Sequence, residues 1–175
     1  MSAISPRDLL AQARDLATRD PLKPKQASLR RAVSTAYYAL FHLLVTAASQ
    51  SLGRGSAPLS RLLARAFDHS EMEKACGTFA AGGAMPQAVT GAYGPIVVPP
   101  ELRRVAQAFR DLQEARHDAD YGTDRVWTKT EAITEVERAE QAFQDWSAIH
   151  RRAAAAPVVR LFLAWLGFQK KLQAR

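Results

Sequence analysis

Two stretches hold the residues whose types and spacing could do chemistry: EARHDADYG, residues 114–122, and LRRAVSTAYYALFHLL, residues 29–44. In the first, Arg116 and Asp120 stand four residues apart, so on a helix they meet on one face and can pair. They also continue an apolar stripe of Leu102, Val105, Phe109 and Leu112. A guanidinium therefore falls where a core residue is expected, and burying it calls for a carboxylate partner. The arrangement suits either a structural ion pair or a binding or catalytic centre.

A second constellation overlaps the first. Arg110 and His117 lie seven residues apart, two helical turns, on a face shared with Arg103, Gln107, Glu114 and Tyr121. A face this polar suits a solvated surface or an oligomer contact.

The other stretch places Leu29, Val33, Ala36, Leu40, Leu43 and Ala47 on one helical stripe, with Ser34, Tyr37, Phe41 and Val45 beside it. Arg31, Tyr38 and His42 form a third row. A helix this apolar belongs inside a bundle. Its hydroxyls and imidazole then need partners, because an unpaired buried polar group costs about 1–3 kcal/mol. They are either satisfied core residues or members of a site.

The elements that would position these groups are all helical. Ser5, Pro6 and Asp8 announce a helix to about Thr18, which stops before Pro21 and Pro24. A long helix over 25–52 ends at Gly53 and Gly55, and a third runs from Pro58 through residue 80. Residues 82–100, rich in glycine and proline, are expected to be irregular. Helices over 100–120 and 128–150 follow, then one from Ala153 that is interrupted or capped near Gly167. No strand alternation persists. The expected fold is an all-α, up-and-down bundle of four to five helices over 1–150, plus a basic amphipathic helix over 151–175, packed on the bundle or at an interface.

The net charge is +7, and residues 151–175 hold six basic side chains and no acid. That balance favours polyanionic partners, nucleic acid first. A single cysteine, Cys76, and four scattered histidines give neither a disulfide nor a zinc-like ligand spacing, so no metal or cofactor is expected. The N-terminus lacks the pattern of a signal peptide. No apolar run reaches the ~20 residues that cross a bilayer, so no transmembrane segment is expected and a cytoplasmic protein is.

The pairing of RRAVSTAYYALFH with EARHDADYG resembles the HEPN superfamily, small all-α domains of prokaryotic toxin–antitoxin, defence and RNA-processing systems. The matching positions are Arg31, Ser34, Ala36, Tyr37, Tyr38, Ala39, Phe41 and His42, then Arg116, Ala119, Asp120 and Tyr121. The resemblance spans about residues 5–150. It implies a helical bundle that commonly forms a homodimer, RNA or a nucleotide as ligand, and a cognate antitoxin protein as partner.

Ribonuclease members carry an arginine, a polar residue and then a histidine, a pair that can cleave RNA without metal, the imidazole moving protons while the guanidinium stabilises the phosphorane. Two registers are open here. One uses Arg110, Asp111 and His117; the other uses Arg116 with Asp120 and Tyr121 and offers no histidine at the family's position, which His42 would have to replace. The expected functions are an RNA-associated HEPN-like protein, an active metal-independent ribonuclease using Arg110 and His117 across a dimer, or a non-catalytic module binding a nucleotidyltransferase-type antitoxin. The candidate catalytic residues are Arg116, His117 and Arg110. The candidate binding or structural network is Arg31, Ser34, Tyr38, His42, Asp120 and Tyr121.

Overall fold

The computed structural model describes residues 5–20 and 22–173. Among them are eight α-helices and no strand: α1 (Pro6–Thr18), α2 (Gln26–Gly53), α3 (Ala57–Ala64), α4 (His69–Ala80), α5 (Gln87–Tyr93), α6 (Pro100–Tyr121), α7 (Lys129–His150) and α8 (Ala156–Gln173). A short 3-10 turn, Ala153–Ala155, precedes α8. The all-α fold is as expected, with more helices than the sequence marks.

The additional helices have local causes. The single helix expected from Pro58 to residue 80 is two, because Asp68 is extended and its carboxylate accepts from the Ser70 and Glu71 amides, starting a new helix at His69. Within the stretch expected to be irregular, Gln87–Tyr93 forms two helical turns that end at Gly94 with φ 78°. Val89 and Val98 of that stretch are buried. The interruption expected near Gly167 is absent, and α8 runs through it. A Cβ at Gly167 would stand 3.1 Å from the Phe67 ring, so the glycine serves close packing rather than a stop.

The chain falls into two compact units, and the division lies inside α2, α6 and α7. The first comprises residues up to Leu43 and Ala108–Gln144. Its core is Leu29, Val33, Ala36, Tyr37 and Leu40 of α2, Phe109 and Leu112 of α6, and Trp127, Val136 and Ala139. Arg14 of α1 grips Glu140 of α7 with both ends of its fork, Nε reaching Oε1 at 3.0 Å.

The second unit comprises Leu44–Gln107 and Asp145–Arg175. Phe79 of α4 packs edge-on against Phe162 of α8 at 4.9 Å between centroids. Around them Met72, Cys76, Val105, Ile149, Trp165 and Leu166 are fully buried. Arg104 holds Asp145 through two hydrogen bonds of 2.9 and 2.7 Å. The basic C-terminal segment is therefore a core helix of this unit, with its charges on the outside.

Helix α2 corrects one expectation, for it is long and apolar enough to cross a bilayer by length and mean hydropathy. Its apolar window is 72% buried within the protein, the pattern of a core helix.

Candidate functional site

The first unit brings the C-terminal end of α6 against the first half of α2, and Arg116 stands at that junction. Its Nε lies 2.7 Å from Asp120 Oδ2, the one-turn pair that the spacing predicts. Its second nitrogen donates to the Tyr38 hydroxyl at 3.0 Å. Ser34, 1% exposed, donates its hydroxyl to Asp120 Oδ1. Three tyrosines surround the guanidinium carbon, with ring centroids 5.9 Å (Tyr37), 5.6 Å (Tyr38) and 5.6 Å (Tyr121) away.

The side chains of Arg116 and Asp120 keep 20% and 27% of their surface in solvent. Burial works against the charged guanidinium. The bond to Tyr38 and the fields of Tyr38, Asp120 and Tyr121 outweigh it, holding Arg116 above its ordinary value. The cluster is thus a fixed cation whose charge Asp120 largely offsets, walled by aromatic rings. Tyr37 is fully buried and reaches Gln113 at 3.4 Å, while Tyr121 is 64% exposed.

The end of α6 is held in place by a residue the sequence reading passed over. Arg30 donates to three main-chain carbonyls: Ala119 at 2.9 Å, Gly122 at 2.6 Å and Arg125 at 2.6 Å. These include acceptors the helix leaves unpaired at its C-terminus. Gln26 adds a two-way bond to the Trp127 backbone, 2.7 Å to its carbonyl and 2.9 Å from its amide. Asp120 and Tyr121 therefore sit on a segment tied to α2 at five points. A signal existed in the double arginine at 30 and 31, but backbone acceptors leave no mark in a sequence.

Of the expected network, Ser34, Tyr38, Asp120 and Tyr121 meet at Arg116. Arg31 lies exposed on α2 and joins no ion pair among the described residues. His42 lies half-buried one turn beyond Tyr38, their ring centroids 6.5 Å apart, and stacks edge-on with Phe41 at 5.4 Å. Arg110 and His117 are both exposed on α6, as are Arg103, Gln107, Glu114 and Tyr121 of the same face. Along the axis Arg110 and His117 are about 10.5 Å apart. The His117 ring lies 5.1 Å from that of Tyr121, tilted by 49°.

A cavity of about 310 Å³ opens beside the same helix end, lined by Asp111, Asp118, Arg125, Trp127, Glu135 and Arg138 among others. Five of its charged groups are paired with one another: Arg138 with Asp111 at 2.6 Å and Glu135 at 3.3 Å, Arg125 with Asp118 at 3.0 Å. Arg125 also covers the Trp127 ring at 4.1 Å. Burial pushes the Glu135 carboxyl above the ordinary glutamate range despite Arg138. No set of three or more ligating side chains that could hold a metal ion occurs among the described residues.

The chain matches no model of a known protein family, no curated protein and no solved structure.

Proposed function

We propose that this chain is a HEPN-type protein that associates with RNA through the Arg116 cluster and does not cut the strand there. The observation that carries the reading is the exposed Tyr121, with the Arg116 guanidinium 5.6 Å and the His117 ring 5.1 Å from its ring centroid. Unpaired RNA bases stack on such rings, and an adjacent cation adds to the contact. The net charge of +7 supports a polyanionic partner, and the two quoted motifs support the family. Cleavage is not expected because the position beside Arg116 carries the Asp120 carboxylate, which takes up the positive charge and repels a phosphate.

The test is binding of a short single-stranded RNA by fluorescence anisotropy at fixed salt, with cleavage followed in EDTA. Tyr121→Ala is expected to weaken binding roughly 5- to 150-fold, the value of one stacked base. Cleavage lost in Arg110→Ala and His117→Ala would replace this reading with the ribonuclease one.

A second reading, a non-catalytic module for a partner such as a nucleotidyltransferase-type antitoxin, draws on one observation. Val126, 72% exposed, adds apolar surface beyond Tyr121 on the same tethered segment. RNA affinity unchanged in Tyr121→Ala would favour it. Dimerisation in a reducing compartment completes the family reading, and light scattering of the purified chain checks the dimer.

A further inference from the structure

Helix α3 is short and only partly covered. None of its eight residues is buried. Leu59 is 42% and Leu62 64% exposed, and their spacing of three puts them on one arc. Pro58, Arg61 and Arg65 are exposed on that side, whereas Ser60, Leu63 and Ala64 are half-buried. A helix under about a dozen residues is marginal in water unless one face is packed. Here the Ser56 cap and the seat of Ser60 against Gly53 hold it, and its outward leucines stay exposed.

The charge around these leucines is of one sign. Residues 54–67 carry Arg54, Arg61 and Arg65 and no acid, and all three arginines are exposed. Of the acids that follow, Asp68 caps α4, and Glu71 is bridged by Lys74 at 3.0 Å and Lys170 at 2.9 Å. The packing of Gly167 on Phe67 also brings the end of α8, with exposed Phe168 and Lys171, to the end of the α3–α4 link.

We infer that α3 docks this protein on an anionic lipid surface, its leucines entering the acyl boundary while Arg54, Arg61 and Arg65 face the headgroups. Arginines beside leucines suit that boundary, since the stems lie along apolar material and the guanidinium groups stay in the polar layer. Each basic residue near such a surface is worth roughly fivefold in partitioning. A nucleic acid would use the arginines and gain nothing from the leucines. Two leucines and three arginines also fall far short of the roughly 20–30 residues a side of a stable protein interface.

The test is co-sedimentation of the full chain with vesicles of phosphatidylcholine containing phosphatidylserine, against phosphatidylcholine alone, at about 0.1 M salt. Binding to the anionic vesicles only is expected. Leu59→Ser with Leu62→Ser should lower it about tenfold, and Arg61→Glu with Arg65→Glu at least roughly 25-fold. These side chains are exposed, so unchanged far-UV circular dichroism is expected and separates lost docking from lost folding.

Tyr121→Ala should leave vesicle binding untouched, which keeps this surface separate from the Arg116 cluster. No binding to anionic vesicles would overturn the inference. So would binding that ignores the leucine pair, for then the basic protein adsorbs by charge alone. RNA binding lost in the arginine pair but not in the leucine pair, with no lipid binding, would give α3 to a polyanion instead.

Discussion

Arg30 and Arg31 are neighbours of the same type with opposite situations. Arg30 satisfies three carbonyls at the end of α6, whereas Arg31 points to solvent. Arg30→Ala is expected to lower unfolding free energy by about 1–3 kcal/mol, because those acceptors lose a charged donor. Arg31→Ala should stay within about 0.5 kcal/mol. Urea titration of the two variants checks the contrast, and equal losses would mean that the clamp is not a source of stability. The Arg116–Asp120 pair was legible because its spacing is a property of the helix itself. Arg30 was not, because its partners are main-chain groups 89 to 95 positions away. Glu135 gives a pH test. Its acid is raised in the folded state, so the protonated form is the favoured one there. The stability tied to that proton is fully present below the ordinary glutamate value and is lost as pH rises through the native one. Glu135→Gln, which cannot ionise, should therefore gain in melting temperature relative to the parent as pH rises above the ordinary glutamate range. A difference independent of pH in thermal scans would refute the burial of that charge.

At the scale of elements, caps and contacts decided what periodicity alone left open. The stretch from Pro58 to residue 80 reads as one helix, yet Asp68 starts a new helix inside it. Asp68→Ala should cost about 1 kcal/mol, the usual value of a lost cap. The Ser70 hydroxyl and the Glu71 amide hold the Asp68 carboxyl below its ordinary range. Its contribution is thus present above that range and fades as pH falls through the native value, so the parent and Asp68→Ala should converge in acid. Chemical unfolding at pH 7 and pH 3 measures both effects. Gly167 was misjudged for a related reason. Glycine in a sequence signals a stop, and only the packed structure reveals the ring of Phe67 at 3.1 Å from its missing Cβ. Gly167→Leu should destabilise by roughly 1–3 kcal/mol through overpacking, against a helix-propensity gain of about 1 kcal/mol. A more stable Gly167→Leu would show that Phe67 has room to move.

For the whole molecule, composition was informative about fold class and less so about organisation. Residues 151–175 hold six basic side chains, and the apolar residues between them are core. Phe162, Trp165 and Leu166 are each fully buried in the second unit. Removing residues 156–175 would delete several such side chains at about 3–5 kcal/mol each, comparable with the whole stability of a domain. The truncated chain is expected to lose the cooperative unfolding of the second unit and to be cleaved readily within residues 44–107 by limited proteolysis. A truncated chain as protease-resistant as the parent would contradict the core role of α8.

The division of the chain inside α2 has a consequence for how the protein is made. Gln26–Gly53, its most apolar long helix, leaves the ribosome well before the segments that cover it, for the first unit is completed only by Ala108–Gln144. At roughly 5–20 residues per second, the nascent chain carries that greasy stretch for several seconds without its partners. The second unit waits longer still, since α8 closes it. A sequence ordered this way leaves apolar surface without its own cover for that interval, the period in which a growing chain is most open to aggregation.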